Sequence, residues 1–279
     1  MSEKITVGVV GNGFVGGAVA NGFRDQNVVV IDPKLGTKMQ QLIDAKPEVV
    51  FICVPTPMGE DGVIDASIVR SVIAEMAPFL PNTLLVLKST VVPDIVDSLA
   101  KTYKNFIYNP EFLTEANAKL DFERPFMHVF GGEEENCKQL QHIYENHSVC
   151  LPCTVKIMTA KEASCVKYAI NSYLATKVAF WNEMEQLIVK IGADYNTVRE
   201  AFTTDPRIGT SHSMVPGPDG RKGFGGSCFV KDTHALLNFG KGELQILKSA
   251  WNVNCDLRAQ YPELLERETA QHVTFNKIG

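Results

Sequence analysis

Ile5-Thr6-Val7-Gly8-Val9-Val10 runs directly into Gly11-Asn12-Gly13-Phe14-Val15-Gly16. The first six residues read as a buried parallel strand, apolar almost throughout. The next six are G-x-G-x-x-G set between that strand and a helix. Gly11 permits the tight turn, Gly13 lets a pyrophosphate approach the helix N-terminus, and Gly16 allows close helix–strand packing. Gly17, Ala18 and Ala20 keep one face of the helix small. A glycine triplet alone is weak information, and the residues after it decide its meaning. Val28-Val29-Val30-Ile31 is a second strand and ends in Asp32, about 20 residues past the loop, where a carboxylate accepts hydrogen bonds from an adenosine ribose. Strand, glycines, helix, strand and acid in this order point to dinucleotide binding. Asp32 repels a 2′-phosphate, so NAD is expected rather than NADP, and the nearby Lys34 weakens that preference slightly.

Working outward, the first half alternates strand and helix. Val49–Val54 is a buried strand that ends at Pro55-Thr56-Pro57. Asp65 caps a helix with Ile68, Val69, Val72, Ile73 and Met76 on its apolar side. Leu84–Leu87 ends at Lys88-Ser89-Thr90; a helix from about Asp94 comes next, then strands at Phe106–Tyr108 and around Met127–Phe130. Such alternation implies a parallel sheet wrapped by helices, with ligands beyond the carboxyl ends of the strands, where Thr56, Thr90 and Asn109-Pro110-Glu111 fall. From Ala160 the character changes. Ala163, Val166, Ile170, Tyr173, Leu174 and Val178 recur at helical spacing with no Gly or Pro before Gly192, which predicts one helix of roughly 30 residues. Short helices come after it, interrupted by a loop from Thr203 to Ser227, and the chain closes with helical segments near Leu244–Arg258 and Pro262–His272. The expected class is α/β: a Rossmann-type doubly wound parallel sheet, then a long connecting helix and a small all-helical domain. The expected boundaries are 1–157 for the NAD-binding domain and 158–279 for the long helix with a helical substrate and dimerisation domain.

Bulk properties exclude several classes. At 279 residues, 45% hydrophobic and 21% charged, the chain has the composition of a globular protein with a substantial core. A net charge of −5 argues against nucleic acid as a partner, since phosphate binding needs clustered Lys and Arg. No apolar run is long enough to span a bilayer, and Met1-Ser2-Glu3-Lys4 is no signal peptide. Seven cysteines, an odd number, do not suggest a disulfide framework, so a reducing cytoplasm is the expected location. Cys150-Leu151-Pro152-Cys153, with His147 just upstream, lacks a second ligand pair at zinc spacing, and no metal is expected.

The reactive chemistry is concentrated in Gly223-Phe224-Gly225-Gly226-Ser227-Cys228-Phe229-Val230-Lys231-Asp232. A single cysteine is ordinarily a small buried hydrophobe. Here glycines allow close approach of a substrate, and a cation lies three residues on with a carboxylate one further. A thiol so placed can attack a carbonyl. Lys167 and Asn171 lie four apart on the long helix and share a face. Taken alone they are surface residues, but Lys167 stands among apolar neighbours and, with Asn171, can stabilise an oxyanion. Glu111 and Glu115 are also four apart; they either open a helical turn favoured by the macrodipole or offer a carboxylate for proton transfer beside the cofactor.

Taken together, these residues resemble the UDP-glucose/GDP-mannose dehydrogenase family. The matches run in order: Gly11–Gly16, Val54-Pro55-Thr56-Pro57, Lys88-Ser89-Thr90, Pro110-Glu111-Phe112-Leu113, Lys167 with Asn171, Arg207-Ile208-Gly209, and Gly223 through Asp232. The resemblance implies NAD-dependent, two-step oxidation of a sugar-nucleotide primary alcohol to a carboxylate, with UDP-glucose the foremost substrate. It implies that Cys228 forms a thiohemiacetal and then a thioester, that Lys167 and Asn171 steady the oxyanion, and that Asp232 orients the lysine and water. Glu111 and Thr90 would handle protons and water. Glu111, Phe112, Leu113, Lys167, Asn171 and Gly225 would contact the sugar nucleotide, and Arg207 would reach a substrate on the neighbouring subunit of a homodimer formed through the long helix. Gly11, Asn12, Gly13, Phe14, Val15, Gly16, Asp32, Lys34, Val54, Thr56, Thr90, Glu115 and Lys231 would hold NAD. Two departures stand out. Asn117 replaces a glycine common in the family after its Glu-Phe-Leu block, and full-length relatives carry a second Rossmann-like domain beyond the point where this sequence stops. A short form, a fragment, or a site completed by a separate polypeptide would each account for the latter. Two other readings stay open: a one-step hydroxy-acid dehydrogenase of the 6-phosphogluconate or 3-hydroxyisobutyrate type, which does not need the cysteine block, and a non-catalytic NAD-binding partner subunit.

Overall fold

The computed structural model describes residues 3–59, 62–114, 117–226, 228–270 and 272–278. Its elements fall into two compact units, one drawn from residues 1–56 and 65–167 and the other from 57–64 and 168–279.

The first unit is built on one seven-stranded sheet in the order β2-β1-β3-β4-β5-β6-β7. The strands are β1 (Thr6–Val10), β2 (Asn27–Ile31), β3 (Val49–Ile52), β4 (Leu84–Leu87), β5 (Phe106–Tyr108), β6 (Met127–Gly132) and β7 (Thr154–Met158). Helices α1 (Phe14–Gly22), α2 (Met39–Ala45), α3 (Ser67–Met76) and α4 (Pro93–Thr102) alternate with the first five strands; α5 (Ala118–Glu123) and α6 (Glu134–His147) come later. β3 and β4 are buried at every position, as strands covered on both faces must be. Phe51, Phe122 and Tyr144 pack around Phe23, with ring centres 5.2, 6.2 and 5.7 Å away. Burying each such ring contributes about 2–3 kcal/mol.

Strands β1 to β5 are parallel, and their registers pair Val10 with Ile31 and Ile52, Ile52 with Leu87, and Leu87 with Tyr108. The residue after each strand is therefore brought level at one edge: Gly11, Asp32, Cys53, Lys88 and Asn109. Backbone bonds from Gly11, Cys53, Lys88 and Asn109 to the last carbonyl of the adjacent strand fix that alignment. The sheet is parallel-dominated, as expected, with one antiparallel pairing. β6 pairs antiparallel with β5, and β7 is parallel to β6. After Tyr108 the chain makes no crossover to the opposite edge; it enters β6 from the side where β5 ended. Four elements, α2, α5, α6 and β7, had no placed counterpart in the sequence reading. Ile68, placed there on the buried side of α3, is 40% exposed.

The second unit is helical. It contains α7 (Ala160–Lys190) from Tyr168 onward, α8 (Tyr195–Thr203), α9 (Cys228–Phe239), α10 (Gln245–Arg258) and α11 (Glu266–Ala270). The expected long helix is thus a single one of 31 residues. Gly192 ends it with φ +79, a conformation that suits glycine, and Asp194 starts α8 by accepting the Thr197 N–H at 2.7 Å. Phe224, Val230, Leu247, Trp251 and Val273 share one core. The closing helix is shorter than its expected span of 262–272. Beyond it the chain is extended and held to α10: Trp251 Nε1 donates to the Asn276 carbonyl at 2.8 Å, and Asn252 exchanges two 3.0 Å hydrogen bonds with Ile278. Among the described residues no helix is long and apolar enough to cross a membrane.

Candidate active site

The glycine loop carries the geometry its sequence demands. Gly11 has φ +92 and faces the Cys53 carbonyl, and a side chain at Gly16 would collide with the Gly11 carbonyl oxygen. Gly13 stands at the start of α1 with open space where a Cβ would project, and no side chain caps that helix. A recess of about 520 Å³ opens beside it, lined by Gly13, Phe14, Gly17 and residues 117–120. Asp32 accepts the Asn12 N–H at 2.6 Å and the Lys34 N–H at 2.8 Å. These two backbone donors hold its carboxyl below the usual carboxylate range, the Asn12 bond having the larger effect. A cradle open at the helix N-terminus beside an ionised acid fits NAD's pyrophosphate and ribose. Val15 is partly buried in the adjoining core, and the Lys34 side chain is exposed.

At the same sheet edge, the loops after β3 and β4 are tied together. The Thr56 hydroxyl donates to the Thr90 carbonyl at 3.0 Å and Ser89 Oγ donates to the Val54 carbonyl at 2.6 Å. Cys53 lies at the same edge, its thiol pushed up to about 12 by burial. Lys88 is buried with its Nζ 2.9 Å from Asn109 Oδ1, and desolvation lowers its pKa to about 8. Beyond β5, Glu111 and Lys167 form a buried ion pair at 3.1 Å, their side chains 8% and 4% exposed. Lys167 Nζ also donates to the Glu111 carbonyl at 2.7 Å and lies 5.6 Å from the centre of the Phe112 ring. The other Glu111 oxygen accepts the Leu113 N–H at 2.7 Å. Lys167 is therefore no surface lysine. Glu115 lies outside the described residues.

In the second unit Cys228 opens α9, half-buried, and Asp232 comes one turn later on the same face. Asn171 Nδ2 donates to Asp232 Oδ2 at 2.6 Å, and Lys231 Nζ is 3.1 Å from Asp232 Oδ1. One N–H of Asn171 is thus committed to the carboxylate. Arg207 is 85% exposed and forks onto Asp205 of its own turn. Lys177 binds the carbonyls of the next two residues, Ile208 and Gly209, at 2.8 and 3.1 Å. Gly225 belongs to the wall of a cavity of about 720 Å³, with His212, Met214 and Phe229. The sequence reading missed the side chains that hold this glycine loop. Asn182 Oδ1 accepts the Gly223 N–H at 3.0 Å, and Asn254 binds both the N–H and the C=O of Phe224, at 2.6 and 3.0 Å. A polar residue in the buried stripe of α10 was the only available signal. Among the described residues no group of His, Cys, Asp and Glu could hold a metal ion.

Comparison with known proteins gives the family. The family model described as UDP-glucose/GDP-mannose dehydrogenase family, NAD binding domain, matches residues 34–148, and that for the central domain matches 161–256. A UDP-glucose 6-dehydrogenase of Pseudomonas aeruginosa is 38% identical over 211 residues, covering 69% of this chain and 44% of that protein. The chain spans about half or less of the length of the curated relatives it matches. Among solved structures, a UDP-glucose dehydrogenase from Pyrobaculum islandicum superposes with a TM-score of 0.79 at 29% identity, over 91% of this chain and 68% of that one. A 3-hydroxyisobutyrate dehydrogenase of Mycobacterium tuberculosis reaches a TM-score of 0.74 at 16% identity, over 97% and 99%, a likeness of fold alone. With both family models matched in order, and NAD the cofactor of the first, the chain belongs to the UDP-glucose/GDP-mannose dehydrogenase family.

Proposed function

We propose that this chain bears the NAD site and the nucleophile of a sugar-nucleotide 6-dehydrogenase that oxidises a primary alcohol to the acid, with UDP-glucose as first candidate substrate. The observation that carries this reading is Cys228 at the head of α9, one turn before an Asp232 held by Asn171. A simple alcohol dehydrogenase needs a base and an acceptor but no thiol; a thiol is required when an aldehyde must be kept and carried to the acid level.

NAD, when bound, accepts the hydride lost at each oxidation. Residues Gly11–Gly16, Asp32, Lys34, Val54, Thr56, Thr90, Glu115 and Lys231 are assigned to it. Cys228 sulfur adds to the aldehyde carbon and the carbonyl oxygen takes up a proton, giving a thiohemiacetal. After the second oxidation the sulfur holds a thioester. Water attacks its carbonyl, the C–S bond breaks, and the thiol is regenerated with release of the acid. Lys167 and Asn171 are assigned to the developing oxyanion and Asp232 to the proton balance of the lysine and water. Glu111 and Thr90 are assigned to proton and water traffic, and Phe112, Leu113 and Gly225 to the sugar. Arg207 is assigned to a substrate of the second subunit, for which it must exchange Asp205 for an anion of the ligand.

The homodimer in this reading runs through α7, where Tyr173, Phe180 and Leu187 are 64, 47 and 52% exposed, and Ile191 just past its end is 70% exposed. Their spacing of seven, seven and four lays an apolar stripe along the helix. Phe180→Glu should yield a monomer by light scattering.

The test of the activity is a panel of sugar nucleotides assayed for NADH. Two NADH per sugar consumed, and loss of acid formation with retained NAD affinity in Cys228→Ala, are expected. One NADH per turnover with Cys228→Ala fully active would instead support the one-step reading. Tight NAD binding without turnover of any sugar nucleotide would support the non-catalytic one.

A further inference from the structure

Residues beyond 256 lie outside both family matches, yet two of them are built into the approach to Cys228. Arg258, its side chain 1% exposed, donates from Nη1 to Asp219 Oδ2 at 2.7 Å and from Nη2 to Glu268 Oε1 at 2.8 Å. Glu268 is fully buried. Its Oε1 also accepts the Gly226 N–H at 3.0 Å, and its Oε2 accepts the Leu265 N–H at 2.8 Å. The Gly225 backbone lies flat against this ion pair, because a Cβ there would collide with the Arg258 guanidinium and with Glu268 Oε1 at 2.6 Å. Gly226 itself has φ +72, a conformation that side-chain-bearing residues seldom hold unaided. Tyr261 and Phe275 flank the guanidinium, their ring centres 5.8 and 5.4 Å from Cζ. Leu265 and Glu266 of the same segment line the 720 Å³ cavity together with Asp219.

A buried carboxylate with three donors, one of them a loop N–H, transmits its own fixed position to that loop. We propose that Glu268, held by Arg258, is a positioning residue for the Gly225–Gly226 backbone, so that the segment after α10 forms part of the floor on which the reactive thiol is presented. Its consequence for turnover rests on the proposed function, but its structural content does not.

The experiment therefore reads the loop directly. Hydrogen exchange of the peptide containing residues 223–230, and the rate at which iodoacetamide alkylates Cys228, are measured in the full chain. The variants are Glu268→Ala, Glu268→Gln and Arg258→Lys. Glu268→Ala should speed exchange of that peptide roughly tenfold, the equivalent of one lost hydrogen bond, and change the alkylation rate of Cys228. Peptides of the α10 core should move by less than about twofold, because a localised opening leaves them protected. Glu268→Gln should lie between: its Oε1 still accepts from Gly226, but its Nε2 opposes the Leu265 N–H. In turnover with a sugar nucleotide, kcat should fall while the KM for NAD stays unchanged. Exchange that rises equally throughout the second unit, or an unaltered loop and thiol in Glu268→Ala, overturns the proposal. Should Glu268→Ala not fold, Glu268→Gln and Arg258→Lys decide it, and wild-type exchange and alkylation in both overturns it. If no sugar nucleotide is oxidised by the wild type, the exchange and alkylation results still stand or fall on their own.

Discussion

Lys167→Met is the most informative single perturbation of the first unit. The lysine is buried against Glu111 at 3.1 Å and also donates to that residue's carbonyl. Removing it leaves a carboxylate with Oε2 bonded to the Leu113 N–H and the other oxygen deprived of its cation. Breaking a buried pair by deleting one partner costs about 3–5 kcal/mol, because the survivor remains uncompensated. Replacing both partners by apolar groups of similar volume removes the charge along with its desolvation penalty and is often close to neutral. The double variant Lys167→Met/Glu111→Leu is therefore expected to regain most of what Lys167→Met loses. Both remain inactive as dehydrogenases in the proposed scheme. Urea unfolding followed by far-UV circular dichroism measures this, with tryptophan fluorescence as internal comparison, since Trp181 and Trp251 both lie in the second unit. If Lys167→Met costs less than about 1 kcal/mol, the range of exposed ion pairs, or if the double variant is no more stable than the single one, the buried pair is not what holds these residues.

Lys88 predicts a pH dependence of definite sign. The folded chain releases its proton near pH 8, whereas an ordinary lysine keeps it to 10.5. Between those values the unfolded state binds more protons, so stability rises with pH through that window, by about 3 kcal/mol in total from this group. Subtracting the profile of Lys88→Met from that of the wild type should isolate this rise, and parallel profiles would contradict it. Gly16→Ala places a methyl against the Gly11 carbonyl and should cost roughly 1–3 kcal/mol through backbone shifts, together with NAD affinity measured by calorimetry. Unchanged affinity would mean that the glycine loop does not hold the cofactor. Asn254→Ala orphans the N–H and C=O of Phe224, both buried, at about 2–4 kcal/mol, read from tryptophan fluorescence melts.

Features written as local chemistry were legible from the residues alone. The strand–glycine–helix–strand–acid order announced the dinucleotide cradle, and an unbroken apolar periodicity from Ala160 announced α7. The reversal of β6 was not legible, because strand direction depends on where the preceding connection travels and not on the strand's own pattern. β7 escaped notice for a related reason: it is an edge strand with exposed positions at Thr154, Lys156 and Ile157, and so lacks the apolar run of an interior strand. Of the proposed site residues, Cys228, Lys167 and Asn171 stood out by motif. Asn182, Asn254, Arg258 and Glu268 did not, since each acts through a partner distant in sequence. A buried arginine and its carboxylate ten residues later look like any charged pair until the fold places a glycine loop across them.

In the proposed scheme the Cys228 sulfur carries the sugar between its two oxidations. Acid quench of the protein during turnover with UDP-glucose and NAD, with peptide mass spectrometry of the product, tests it most directly. A uronyl thioester on the peptide containing Cys228, removed by hydroxylamine and absent without NAD, is expected. Steady acid production with that cysteine unmodified at every quench time would contradict it.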